Sequence, residues 1–444
     1  MSCKALSLLA SFSSITLLSF SPVRSDQNDI TEILSGVVNE MKTDKYGNLY
    51  ASVNIKTGNV YNKAEIIKWN GYEWHRLNSQ ISGGVITTFE IDDFGNIYVG
   101  GSFKYAGGFE ANGVAMWDGN SWKALGTGMK NIDDRPTQVL SIALDGSGNL
   151  YAGGTFDYAG DELVNNLAKW DGNTWSNLGN GVSRKDGVKG FVSSIFIGEK
   201  DDIYVCGRFA NAGSVEANNI AKWDGNSWSS TIDYKDNEWT PEIVIDNSGK
   251  FYAIVGINVS VATYGKGTSS ERTMWGVYIQ PKDSGWKSLG GISESSKHSL
   301  MCGSEGDLYV INNGSLMKWD GQNWRGLDGI SEVIREFHSY FIDNLGNIFV
   351  AGGTVAGLKT DVFYKWDGKT WQKLSNFTNE QTLIKPDDSF RKNLKSNSET
   401  RDVIYTMDGR QCHKIESFKS ARGVYLIHRN NKDRLARRRM VVMK

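Results

Sequence analysis

The five histidines, His75, His298, His338, His413 and His428, are the side chains best suited to move protons or hold a metal, and no two are close in the sequence. There is no His-x-x-x-His, no Cys/His cluster and no Gly-x-Ser-x-Gly turn, so spacing nominates no catalytic residue, no metal ligand and no cofactor. Carboxylates could still meet in the folded chain, which keeps a polysaccharide-acting enzyme, a hydrolase or lyase, as the alternative to a non-catalytic protein. Asp44, Asp92, Asp145, Asp246 and Asp343 each stand three residues before a glycine. A short carboxylate there accepts backbone N–H groups while the glycine takes positive φ, so turn formation accounts for the pattern. Calcium would need several oxygens converging from one loop, at a different spacing.

The elements that carry these aspartates repeat. The run Lys169-Trp170-Asp171-Gly172-Asn173-Thr174-Trp175-Ser176-Asn177-Leu178 reads as a tight hairpin whose two tryptophans face each other across the strands. Pairs recur at Trp69/Trp74, Trp117/Trp122, Trp223/Trp228, Trp319/Trp324 and Trp366/Trp371, while a fifth copy keeps Trp286 but has Tyr278-Ile279-Gln280-Pro281 in place of Lys-Trp-Asp-Gly. Rings at the same place in nearly every copy suit packing between repeats better than sugar stacking. Before each pair stands a Gly-Asn-Leu-Tyr element, as at Gly148 to Tyr151, preceded by an alternating apolar run such as Val139 to Leu144. Each unit therefore holds four strands, in the third unit 139–144, 150–154, 167–170 and 175–178. Units of about 50 residues with four short strands predict β-propeller blades. The expectation is an all-β chain, a seven-bladed β-propeller of four-stranded blades over 26–374, with the fifth blade least regular and a small C-terminal β segment.

In such a blade the links between second and third strands lie on one rim, and their lengths differ. They run from Lys104–Gly113, Asp157–Asn165 and Asn258–Thr273 down to Asn312-Asn313-Gly314. Loops on a rigid support are where binding is usually built, so Tyr105, Asp157 and Tyr158 are the candidate contacts to a protein or glycan partner.

Tyr-x-Gly-Gly, a long loop and Trp-Asp-Gly-x-x-Trp in that order resemble kelch-type propeller repeats. The variant from Gly153-Gly154-Thr155-Phe156-Asp157-Tyr158-Ala159-Gly160 to Asn165-Asn166-Leu167-Ala168-Lys169-Trp170 is similar to repeats of bacterial exported surface proteins and of fungal cortical cell-polarity markers. This resemblance covers about residues 35 to 375 and implies the fold more than an activity.

The ends point to export. Residues 1–25 pair Lys4 with an apolar, Ser-rich run and Val23-Arg24-Ser25, as in a cleaved signal peptide, which predicts a secreted or cell-surface protein beginning at Asp26 with no transmembrane span. Cys206, Cys302 and Cys412 then remain, too few and too scattered for a disulfide framework. The formal charge of −1 gives no attraction to nucleic acid. After a polar linker at 375–400, residues 401–444 carry twelve Lys or Arg against four acids. Their Asp408-Gly409-Arg410 turn, Gly423-Val424-Tyr425-Leu426-Ile427 run and basic, apolar last run resemble the C-terminal sorting domain of the type IX secretion system. That resemblance implies the secretion machinery as a partner.

Overall fold

The computed structural model describes most of residues 36–374 and, past these, only strands between 403 and 443; the leader at 1–25 and the linker at 375–400 lie outside the described residues. In the third repeat, Gln138–Leu144, Leu150–Thr155, Leu167–Trp170 and Trp175–Asn177 pair antiparallel in chain order, within one residue of the expected bounds. The same four-strand meander recurs over 37–76, 86–124, 138–177, 191–230, 242–292, 300–326 and 336–373, here sheets 1 to 7. All described elements are strands.

The first strands of successive sheets touch in order, and that of sheet 7 touches that of sheet 1. Val38, Met41 and Ala51 share a buried core with Phe349, Ala351 and Phe363, and the rings of Trp74 and Phe363 lie 4.4 Å apart. Sheet 7 thus packs on sheet 1 as the earlier sheets pack on their successors, and buried apolar residues lie on both faces of such sheets, as with Tyr50 and Ala51.

Five first strands carry a β-bulge at the same register, leaving Asn39, Thr87, Leu140, Ser193 and His338 outside the ladder. The second strand passes very close there. A Cβ on Gly154 would meet the Gln138 carbonyl at 1.9 Å, and one on Gly207 the Phe191 carbonyl at 2.0 Å, which is why the Tyr-x-Gly-Gly element needs its last glycine.

Sheet 5 departs from the expected loop. Phe251–Ala262 and Ser269–Gln280 pair along twelve positions, so 258–262 and 269–273 are strand rather than loop. β-Branched residues spaced two apart at Ile257, Val259 and Val261 favour extension of the ladder over a loop. The tail is a second compact unit, 378–444, in which Gln411–Cys412, Val403–Tyr405, Gly423–His428 and Arg438–Met443 pair antiparallel in that spatial order.

Candidate functional site on the hairpin rim

Two of the three links expected to be long loops, Lys104–Gly113 and Asp157–Asn165, fold into small hairpins, and another hairpin follows in sheet 4. Tyr105–Ala106 pairs with Phe109–Glu110, Tyr158–Ala159 with Glu162–Leu163, and Asn211–Ala212 with Val215–Glu216. Each hairpin also pairs with the segment leaving the preceding sheet: Ile81–Ser82, Met129–Lys130 and Val182–Ser183. The same bond closes each junction: the amides of Gly107, Gly160 and Gly213 donate to the carbonyls of Gln80, Gly128 and Gly181 at 2.9, 2.8 and 2.8 Å.

The local sequence dictates this shape. Phe103, Phe156 and Phe209 are buried under the hairpins, as are Ala106, Ala159 and Ala212. Asn112, Asn165 and Asn218 turn the chain back with φ of 47°, 48° and 40°, a conformation asparagine tolerates. The hairpins also lie on the tryptophans: a Cβ on Gly107 would come within 2.9 Å of the Trp122 ring.

The tryptophan pairs themselves are core, as expected. Trp170 and Trp175 occupy opposite positions with ring centroids 5.3 Å apart. Trp175 Nε1 donates to the Leu125 carbonyl of sheet 2 at 2.8 Å, and Trp228 Nε1 to the Leu178 carbonyl of sheet 3 at 2.9 Å. Gly126 and Gly179 follow those leucines with φ of 62° and 52°. The sequence has Asn78 and Ser375 after Leu77 and Leu374, and the buried Trp122 and Trp74 Nε1 atoms have no acceptor among the described residues.

Of the three candidate contacts, two reach the surface. Tyr105 is 37% exposed, with Lys104 Nζ 5.3 Å from its ring centre. Tyr158 is partly buried, with Lys130 Nζ 5.6 Å from its ring. Asp157 is only 2% exposed: its carboxylate accepts from the Ile132 amide at 2.8 Å, and its carbonyl from the Val164 amide at 2.8 Å. It holds the hairpin in place. Phe109, Ile132 and Leu163, which spacing did not nominate, are exposed beside these tyrosines.

The five aspartates before the turn glycines behave as turn formers where described. Asp145 accepts from the amides of Ser147 and Asn149, each at 2.9 Å, and from the Tyr151 hydroxyl at 3.1 Å. Burial pushes its carboxyl up, and the bonds from Asn149, Tyr151 and Ser147 outweigh that and hold it below the usual range. Among the described residues no three His, Cys, Asp or Glu gather as a metal would require. Cys206 is buried and Cys302 half-buried, and both are free thiols.

No family model matches the chain, and no curated protein matches it. Solved structures do. The extracellular domain of a putative hybrid two-component system, BT4673 from B. thetaiotaomicron, aligns with a TM-score of 0.47 and 14% identity over 92% of this chain and 45% of that one. PorZ, a surface component of the type IX secretion system of Porphyromonas gingivalis, aligns with a TM-score of 0.47 and 12% identity over 91% of this chain and 59% of that one. The WD40 β-propeller domain of Doa1 aligns with a TM-score of 0.45 and 11% identity over 75% of this chain and 94% of that one. The chain therefore spans about half the length of the first two, and likeness at this level transfers no activity.

Proposed function

We propose that sheets 1 to 7 are the blades of a closed seven-bladed propeller, and that this propeller is a non-catalytic binding module working outside the cytoplasm on a protein or glycan partner. The observation that carries the reading is the hairpin rim. One hairpin shape is presented side by side on sheets 2, 3 and 4, with Tyr105, Phe109 and Leu163 exposed on a support in which the backbone bonds are satisfied. Tyr105 and Tyr158 are the proposed contacts, and Asp157 fixes the hairpin that carries Tyr158. A screen of glycans and surface proteins against the full chain tests it. A ligand found there should be lost in the double variant Tyr105→Ala/Tyr158→Ala while the melting temperature stays unchanged; a ligand indifferent to both tyrosines would remove the rim from consideration.

Export is the other half of the proposal. Residues 1–25 act as a signal peptide, and residues 401–444 address the chain to the type IX secretion machinery. Mass spectrometry of the native product should find Asp26 at its start. A chain lacking 401–444 that still reached the surface would sink the sorting role.

A further inference from the structure

Sheets 1 and 2 break the repeat twice at the other rim, where first and second strands join. Two residues before each of these turns the chain has Ala143, Phe196, Val244, Met301 and Phe341 in sheets 3 to 7, but Lys42 and Glu90 in sheets 1 and 2. Lys42 Nζ contacts Glu90 Oε1 and lies 3.4 Å from Glu40 Oε1, and all three side chains are partly exposed. Glu40 Oε2 accepts from the Phe89 amide at 2.7 Å. One ammonium thus serves two carboxylates. Burial, and next to it Glu90, pushes the Glu40 carboxyl up against the pull of Lys42. Apolar residues at the same place in five sheets indicate that the fold does not require these charges, and partly desolvated ion pairs are a weak source of stability.

The turn tips depart in the opposite sense. Tyr46, Phe94 and Leu345 are 78%, 91% and 84% exposed at the same position of the turns in sheets 1, 2 and 7, where sheets 3 and 5 have Ser147 and Ser248. Asp44, Asp92, Asp145 and Asp343 make the same two backbone bonds whichever residue sits there, so the turn does not need an apolar side chain. Sheet 1 packs between sheets 7 and 2, which makes the three tips neighbours. Lys45 and Asp93, each next to a tip, pair at 3.8 Å and tie the turn of sheet 1 to that of sheet 2. The tips of sheets 1 and 2 therefore flank the junction that holds the Glu40, Lys42 and Glu90 group, with the tip of sheet 7 on the other side of sheet 1.

We infer that this rim is a second docking surface, for a polypeptide that presents an arginine or lysine between apolar side chains. The apolar flanks would cover Tyr46, Phe94 and Leu345, and the cation would meet the carboxylate that Lys42 leaves under-compensated. This surface lies on the rim away from Tyr105 and Tyr158, and it stands or falls without them.

The probes are two fluorescein-labelled peptides, Gly-Leu-Arg-Phe-Gly and the same peptide with norleucine for arginine, titrated by anisotropy against the full chain. The arginine peptide should bind saturably and about tenfold more tightly than the norleucine peptide. Glu90→Gln should abolish that preference, and Phe94→Ser/Leu345→Ser should weaken both peptides. Phe109→Ser on the hairpin rim should change neither, and circular dichroism confirms that each variant is folded. Equal binding of the two peptides, no saturable binding, or binding indifferent to Glu90, Phe94 and Leu345 would each overturn the inference.

Discussion

Sheets 2 to 4 and sheets 5 and 6 are built from one repeat, and among the described residues their second and third strands are joined differently. At the junctions 1/2, 2/3 and 3/4 a hairpin from the later sheet pairs with the segment leaving the earlier one. Sheet 6 instead turns directly from Asn312 to Ser315, and sheet 5 lengthens its own strands. An insertion of a few residues inside one repeat thus creates a tie between two. The insertion looks like a surface loop on the page because its partners are a whole repeat away.

The contrast can be broken by mutation, and the largest effect is expected in the core of the tied sheets. Trp170→Ala should cost about 3–5 kcal/mol through lost burial and a cavity, measured by denaturant unfolding. Trp324, partly exposed in sheet 6, should lose less when replaced by alanine, about 1–3 kcal/mol. Equal losses would mean that the two groups of sheets are equally well packed.

Gly128→Ala tests the tie itself. Its φ is +76° and a Cβ would meet the Ala111 carbonyl at 2.2 Å, so a loss of about 2–4 kcal/mol is expected, with faster proteolysis near the hairpin of sheet 2. A variant as stable as the parent would show that the hairpins contribute little. Next in size is Asp157→Ala, which removes the buried carboxylate that accepts from the Ile132 amide and should cost about 1–3 kcal/mol. Tyr105→Ala should stay within about 0.5 kcal/mol of the parent, and the difference between the two separates the hairpin's holding residue from its surface.

Asn78→Gly should add about 0.5–1 kcal/mol, by letting the Leu77 carbonyl reach Trp122 Nε1 as Leu125 reaches Trp175. No gain in the melting temperature would leave the unpaired Trp122 unexplained. The smallest effect is one of pH. The Ser121 amide, the Lys123 ammonium and the Asn120 amide hold Asp118 down at about 2. A carboxylate lowered on folding stabilises above its unfolded value near about 3.9 and loses that contribution as pH falls through its folded value. An NMR titration of Asp118 with its midpoint near 4 would contradict the turn geometry.

The sheets were legible because period and turn chemistry are written residue by residue: Trp170 and Trp175 flank a four-residue turn, and an aspartate stands three residues before the positive-φ glycines Gly47, Gly95, Gly148 and Gly346. The hairpins were visible only as spacing. Phe-x-x-Ala-Gly followed by two residues of positive φ appears at 103–113, 156–166 and 209–219, yet nothing local says that its partner is the chain leaving the preceding sheet. The burial of Asp157 was not legible because an aspartate in a polar stretch ordinarily faces water, and its partner Ile132 is twenty-five residues away. Tyr46, Phe94 and Leu345 occupied turn positions already accounted for by their aspartates, and only their exposure sets them apart.

The hairpins also bear on solubility. The fourth strand is the outermost of every sheet, and its unpaired amides and carbonyls could template another chain. In sheets 2, 3 and 4 the hairpin lies against that strand, as where Asn177 Nδ2 donates to Glu162 Oε1 at 2.9 Å. In sheets 1, 6 and 7 the strand is three residues long, too short to seed a ladder. Of sheets 1 to 7, sheet 5 alone has a six-residue outer strand, and there the pairing slips at a bulge beside Gly290, whose φ is +117°. Cover, brevity and a kink each blunt an edge, so sheets 1 to 7 offer other chains no long, flat outer strand.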